Sequence, residues 1–205
     1  DYDIKAVYMP GDVYVDAGMK NIYLEVADRT ITADSLDLVG NGDEMKIQFL
    51  NPVVDGNSAD LQLSLFDVYS SDIAIDARLE AAHTDISDYQ PYVSGFADGS
   101  ARMTGKLTAF TIDATAHAEI LDFQGQKLKD VRVGAEVTNE DVSFSIENIE
   151  WASNRLNAEG NYNYDGFSSV YAQADTMRYK ISNVEFKGKL DARYHYKTGL
   201  ISGIR

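Results

Sequence analysis

Residues 73–81 read Ile-Ala-Ile-Asp-Ala-Arg-Leu-Glu-Ala, and this stretch decides the fold. Apolar residues occupy its odd positions, and charged residues occupy the even positions from Asp76 onward. Successive side chains of a β-strand point to opposite faces, so the stretch predicts a strand with one apolar and one polar face. The same alternation recurs at 45–49, at 131–137 and through most of the chain. We therefore expect an all-β protein whose sheet has a face that must meet something apolar.

Turn residues separate the alternating segments, as at Pro10-Gly11, Asp55-Gly56 and Gln124-Gly125. Short strands joined by tight turns favour antiparallel neighbours, and no segment has the length of a helix that would link parallel strands. The predicted strands are Ile4–Tyr8, Val13–Asp16, Asn21–Ala27, Thr30–Ala33, Ser35–Val39, Glu44–Asn51, Ala59–Ser64, Asp72–Ala82, Gly99–Thr104, Lys106–Phe110, Ile112–Asp122, Lys127–Thr138, Asp141–Ile149, Arg155–Asn163, Ser169–Ala174, Met177–Ile181 and Val184–Tyr196.

Residues 84–94 interrupt the alternation. Ile86, Tyr89 and Tyr92 fall at helical spacing, Asp85 can cap a helix, and Pro91 limits its length. We expect one short helix or ordered loop near 85–94. The chain, 1–205, is predicted to be a single segment, and 84–98 is where a sub-boundary would fall.

The composition argues against several classes of function. The chain carries 33 acidic and 18 basic residues, a formal net charge of −15, which disfavours nucleic-acid binding and flat docking on an anionic membrane. It has no cysteine, so disulfides and thiolate metal sites are excluded. No apolar run approaches the about 20 residues that a membrane-spanning helix needs.

Motifs of catalysis and metal binding do not occur in the sequence. The three histidines, His83, His117 and His195, lie far apart, and there is no HExxH, P-loop, GxSxG or GxGxxG pattern. Acidic pairs in the predicted turns lack the spacing of a calcium loop. We therefore expect no enzymatic activity, no metal and no cofactor.

Two architectures would accommodate the apolar face. A sheet folded on itself buries the face in a closed sandwich or barrel. A sheet curled into a trough leaves the face open to an apolar ligand such as an acyl chain, because a soluble protein rarely exposes so large an apolar surface.

Four segments follow each other in a distinctive order: Gly99–Gly105 (GSARMTG), Ala114–Ile120 (ATAHAEI), Leu128–Val133 (LKDVRV) and Leu156–Gly160 (LNAEG). A similar unit lies at Ile181–Gly188. This order resembles the repeating pattern of the AsmA-like family, and most closely of its TamB-type members. The resemblance extends from about Gly56 to Gly188, whereas residues 1–50 match less clearly.

The resemblance implies a long antiparallel sheet curled into an open, U-shaped groove, a β-taco. It further implies a parent protein that is anchored in the inner membrane of a two-membrane bacterium and crosses the periplasm. The groove of such a parent shields and conducts phospholipid acyl chains toward the outer membrane. TamB-type members also work with an outer-membrane barrel partner of the TamA kind. The chain is expected to be a piece of this longer protein.

On this interpretation the apolar residues line the groove and bind lipid. The candidates are Ile47, Phe49, Leu61, Leu63, Ile73, Ile75, Leu79, Leu107, Ile120, Val133, Val137, Phe144, Ile146, Leu156, Phe186 and Leu190. The alternative is a non-enzymatic β-sandwich or solenoid, an interaction or adhesin module in which the same residues form a closed core. Unpaired edges of an excised sheet also predict edge-to-edge self-association.

Overall fold

The computed structural model describes residues 2–9, 12–26, 29–89, 91–151, 154–181 and 184–197. A single-turn 3₁₀ helix spans Ile86–Asp88. The strands are β1 (Tyr2–Met9), β2 (Asp12–Val26), β3 (Arg29–Asn41), β4 (Glu44–Leu50), β5 (Val53–Val54), β6 (Asn57–Phe66), β7 (Ala74–Asp85), β8 (Val93–Lys106), β9 (Ala109–Phe123), β10 (Gln126–Thr138), β11 (Asp141–Trp151), β12 (Asn154–Asn163), β13 (Phe167–Ile181) and β14 (Val184–Lys197). The predicted all-β fold is confirmed.

The chain divides into two compact units. Unit 1 comprises Asp1–Thr84 with Asp98–Ile112, and unit 2 comprises Asp85–Ala97 with Asp113–Arg205. Strands β8 and β9 each contribute one end to each unit. The prediction of a single segment stays a prediction.

Neighbouring strands within each unit pair in chain order. In unit 1, antiparallel ladders join β1 to β2, β2 to β3, β3 to β4, β4 to β6 and β6 to β7, and the two-residue β5 pairs with β3 and β6. In unit 2, antiparallel ladders join β10 through β14 in sequence. The predicted antiparallel order is therefore confirmed, whereas the curling of the sheet into an open groove stays a prediction.

The predicted short helix is confirmed as a single turn. The carboxylate of Asp85 caps it, accepting a hydrogen bond from the backbone N–H of Ser87 at 3.0 Å. The interruption is shorter than expected, because β8 begins at Val93.

Several predicted strand boundaries are wrong. The predicted segments 13–16 and 21–27 merge into one strand, β2, as far as Val26, because Asn21 takes a φ of 55° while the ladder to β3 continues on both sides; Ala27 lies outside the described residues. Segments 30–33 and 35–39 likewise merge into β3, and segments 169–174 and 177–181 merge into β13. In the predicted strand Lys106–Phe110, Lys106 ends β8, Leu107 and Thr108 form a turn, and Ala109 begins β9. The short β5 was not predicted.

Gly105 allows the chain to turn at the end of β8. Its φ is 113°, and a Cβ at this position would lie 2.6 Å from the carbonyl oxygen of Ala109. Only glycine tolerates that backbone conformation without strain and without a clash. Hydrophobic alternation carries no information about a positive φ, so the pattern predicted a strand through the turn.

Candidate functional site

Apolar side chains form continuous rows across the strands of unit 1. One row runs through directly paired residues of β2, β3, β4, β6 and β7: Ala17, Leu38, Ile47, Leu63 and Ala77. Directly opposed residues of neighbouring strands share a face and lie close enough to touch. Six predicted lining residues lie in the paired strands: Ile47 and Phe49 in β4, Leu61 and Leu63 in β6, and Ile75 and Leu79 in β7.

Unit 2 contains an equivalent row of apolar side chains. It runs through β10, β11, β12, β13 and β14 as Val133, Ile146, Ala158, Ala172 and Ala192. A second row pairs Ala135 with Phe144, and Phe144 with Gly160. The residues of these rows become smaller from β11 to β12, so the side chains of β10 and β11 rise higher above the sheet.

The predicted lining residues are covered only in part. Twelve of them are half-buried: Ile47, Phe49, Leu61, Leu63, Ile73, Ile75, Val133, Val137, Phe144, Ile146, Leu156 and Leu190. Leu79, Leu107 and Ile120 are 37, 51 and 52 % exposed. A large aliphatic residue in a packed core is normally fully buried. None of the candidates whose side chains are described is fully buried in its unit.

Three candidates have special positions. Ile73 lies just before β7 and Leu107 lies in the turn after β8, and the backbone N–H of Leu107 donates to the carbonyl of Ile73 at 3.0 Å. These two residues therefore meet at one end of unit 1, outside the strands to which they were assigned. Phe186 pairs with Tyr179 in the ladder of β13 and β14, and its side chain lies outside the described residues.

Sequence reasoning missed a set of strand irregularities built from Asn, Asp and His. In unit 1, Asn21 and His83 have φ angles of 55° and 54° inside strands. The backbone N–H of His83 donates to the carboxylate of Asp98 at 2.8 Å. Asn51, with a φ of 51°, donates from its side-chain amide to the carboxylate of Asp34 at 2.7 Å. At His83 and Asn51, a polar side chain thus forms a hydrogen bond at the residue with the positive φ.

Unit 2 has irregularities of the same kind. Asp130 has a φ of 50° inside β10, and its carboxylate lies 3.0 Å from Nε2 of His117. The register between β11 and β12 shifts between Ile146 and Ile149, and the register between β13 and β14 shifts between Ala174 and Met177. The sequence contains a signal for these sites, because the apolar positions change there from a spacing of two to a spacing of three.

Asn154 shows how one of these sites is satisfied. Its side-chain amide donates to the carbonyl of Arg178 at 3.1 Å, and its side-chain oxygen accepts from the N–H of Arg178 at 2.6 Å. The amide group therefore replaces a backbone partner in the ladder of β12 and β13. Asn154 is 2 % exposed, so both bonds are shielded from water.

The fully packed apolar side chains lie beside these irregularities. They are Ala33 and Leu36 in unit 1 and Ala118, Val131 and Ala174 in unit 2. Val131 follows the bent residue Asp130, and Ala174 borders a register shift. Ala33 and Leu36 flank Asp34, which accepts a hydrogen bond from the bent residue Asn51, and Ala118 follows His117, which contacts Asp130. Bending a strand crowds the side chains on its concave side, and we attribute this local burial to the bends.

The polar faces carry ion pairs. Arg102 donates to both carboxylate oxygens of Asp76, from Nε at 3.1 Å and from Nη2 at 2.7 Å, and these bonds lower the pKa of Asp76. Hydrogen bonds from Thr108 and Lys106 lower the pKa of Asp72. In unit 2, the hydrogen bond with His117, followed by the charge of Arg132, lowers the pKa of Asp130. These contacts hold carboxylates in their charged form on the solvent side of the sheet.

A shallow concavity of about 480 Å³ lies over β10 to β13. Its lining includes Glu136, Ser143, Ser145, Glu159 and Asn161. These residues alternate with Ala135, Phe144 and Ala158, so they belong to the polar face. The lining also includes Ala135, Gly160 and the predicted lipid-facing residue Phe144, so residues of both kinds contribute to it.

Comparison of the chain with family models, with curated proteins and with solved structures finds no match. The described residues contain no cluster of three or more His, Asp and Glu side chains arranged to hold a metal ion. No helix in the described part of the chain has the length and apolarity to cross a bilayer.

Proposed function

We propose that this chain is a lipid-shielding β-sheet segment whose apolar face holds the acyl chains of phospholipids. One observation carries the proposal: rows of apolar residues are continuous across five strands in each unit, yet the described candidates stay half-buried or exposed. A face that its own unit does not cover is available to another apolar molecule.

The energetics of the face suit an acyl chain. Burial of apolar surface contributes about 25 cal/mol per Å², so covering each 100 Å² of such a face contributes about 2.5 kcal/mol. The row residues Ala17, Leu38, Ile47, Leu63 and Ala77 offer no polar group that would fix a ligand at one position. Binding by such a row depends on area and not on a specific headgroup, which suits an acyl chain that slides along the face.

The wider biological role is proposed from the resemblance to TamB-type and AsmA-like proteins. The parent protein would be anchored in the inner membrane of a two-membrane bacterium and would extend through the periplasm. It would conduct phospholipid between the membranes, without enzymatic activity, and would work with an outer-membrane barrel partner of the TamA kind. This role supports outer-membrane biogenesis.

Lipid analysis of the purified chain tests the proposal. The chain is recovered from a two-membrane bacterium without detergent, and its organic extract is examined by mass spectrometry. We expect co-purifying phospholipid, with less in Leu63→Asp than in the matched variant Gln62→Asp, which places the same charge on the polar face. An extract without lipid from a folded chain would contradict the proposal and favour an interaction module with a closed core.

A further inference from the structure

The charge of the chain is distributed very unevenly. Residues 178–197 carry six basic and two acidic side chains, whereas the other 185 residues carry the remaining 12 basic and 31 acidic side chains. The basic segment covers the end of β13 and all of β14, which pair with each other in unit 2. An acidic protein therefore has one hairpin of opposite charge.

The basic side chains of this hairpin share the polar face. Arg178 of β13 is directly opposite Lys187 of β14, and Lys189 and Arg193 follow at the same alternation along β14, with Asp191 between them and its carboxylate 3.9 Å from Nε of Arg193. We call these four residues the basic stripe. All four are exposed. Arg193 also lies over the ring of Tyr171, with its Cζ 4.8 Å from the ring centroid.

Cross-strand pairing sets the stripe apart from the rest of unit 2. Lys129 of β10 is opposite Glu150, and Glu150 is in turn opposite Arg155 of β12. These pairs join opposite charges, which stabilises a sheet. Arg178 and Lys187 are like charges directly opposite each other, an arrangement that destabilises a sheet. Positive charge is therefore concentrated in the stripe, whereas on the neighbouring strands basic side chains lie opposite acidic ones.

We propose that the basic stripe docks on the surface of a bilayer that contains anionic phospholipid. From Lys187 to Arg193 the stripe extends about 20 Å at about 3.4 Å per residue. Charges in physiological salt are screened beyond about 8 Å, so the stripe acts as a local positive surface despite the acidic remainder of the chain. Four long cationic side chains outnumber the single carboxylate of Asp191 in this row, so the row is net positive and matches a flat array of phosphates.

A second copy of this chain is the less favoured occupant. Asp72, Asp76 and Asp130 already bond to cationic side chains of their own unit, so a second copy would have to offer other carboxylates. The bilayer presents unpaired phosphates at high density. Docking of the stripe differs from the proposed function, because it uses headgroup charge and the polar face, whereas the proposed function uses acyl chains and the apolar face.

Vesicle flotation of the full chain tests the proposal. We expect binding to phosphatidylcholine vesicles doped with phosphatidylglycerol, little binding to pure phosphatidylcholine, and release by high salt. Each lysine near an anionic surface contributes about 1 kcal/mol, so Lys187→Gln combined with Lys189→Gln should weaken partitioning roughly 30-fold. The double Lys→Arg variant at the same positions should retain binding.

Lys127 and Lys129 provide the matched control. They have the same spacing along β10 and are exposed, but they lie among acidic neighbours. Lys127→Gln combined with Lys129→Gln should leave vesicle binding unchanged. Equal loss in both double variants, binding independent of phosphatidylglycerol, or stripe-dependent self-association in sedimentation without vesicle binding would each overturn the proposal. Leu63→Asp should lose co-purifying lipid but keep flotation, which separates this proposal from the proposed function.

Discussion

Asn154 is the residue whose side chain most directly replaces backbone pairing. Its amide closes the ladder between β12 and β13 through two bonds with Arg178. Asn154→Ala removes both partners and leaves backbone groups of Arg178 unsatisfied in a shielded position, at a cost of about 1–3 kcal/mol. Urea unfolding measures this loss. Gln62→Ala, at an exposed strand position, should change the free energy of unfolding by less than about 0.5 kcal/mol, and equal effects would contradict the role of Asn154.

The Asp76–Arg102 pair predicts a dependence of stability on pH. Hydrogen bonds from Arg102 lower the pKa of Asp76 in the folded state. The pair therefore stabilises the fold above the unfolded pKa, about 3.9, and this stabilisation is lost as the pH falls through the lowered folded pKa. Both partners are solvent-exposed, so the contribution is at most about 1 kcal/mol.

Comparison of Asp76→Asn with the wild type by thermal unfolding between neutral and strongly acidic pH tests this prediction. The variant should be less stable at neutral pH, and the difference should vanish in acid. Asp60→Asn is the control, because Asp60 is opposite Glu80 on the neighbouring strand and loses no attractive partner. A difference between Asp76→Asn and the wild type that persists unchanged in acid would show that the ion pair is not its cause.

At the scale of the strand, alternation predicted the elements well but not the points where they bend. The predicted strand Asp72–Ala82 starts two residues before β7, and the turn residues Asp55-Gly56 separate β5 from β6. Bends at Asn21 and Asp130 depend on backbone torsions that a polar residue in a strand allows but does not require. At Leu128–Val131 the apolar residues are three positions apart, and this spacing marks such a bend in the sequence. The spacing can be interpreted as a bend only once the strand is known to be continuous.

Gly160 has no side chain, and this allows Phe144 of β11 and the backbone at Ser169 to lie close to β12. A Cβ there would lie 2.5 Å from Cζ of Phe144 and 2.8 Å from the carbonyl oxygen of Ser169. Gly160→Ala therefore forces the Phe144 ring and the backbone to shift, and we expect a loss of about 1–3 kcal/mol in urea unfolding. At Gly188, a Cβ would meet nothing within 4 Å, so Gly188→Ala should be close to neutral. Similar stabilities of the two variants would contradict this packing.

At the scale of the whole molecule, the sequence predicted the rows but not how they are covered. The positions of Ile47, Leu63, Val133 and Ile146 follow from alternation, and the ladders pair them as expected. The extent of their burial depends on what lies above the face, which periodicity does not encode. The concavity over β10 to β13 was also not predicted.

A charge placed on the apolar face distinguishes an available face from a packed core. Leu79 is 37 % exposed, so Leu79→Asp leaves its carboxylate partly hydrated, and we expect a loss of about 1–2 kcal/mol with the fold retained. A charge without a partner in a closed core would cost about 3–5 kcal/mol or more. Circular dichroism and urea unfolding of Leu79→Asp and Val133→Asp decide between these outcomes, and unfolded variants would support the closed core.

Photo-crosslinking tests most directly whether the apolar face holds acyl chains. A photoreactive amino acid is placed in living cells at Leu63 or Val133 on the apolar face, or at Gln62 or Arg132 on the polar face, and the purified adducts are weighed by mass spectrometry. We predict phospholipid adducts at Leu63 and Val133, and none at Gln62 and Arg132. Adducts at neither apolar position, or equal adducts on both faces, would contradict the account.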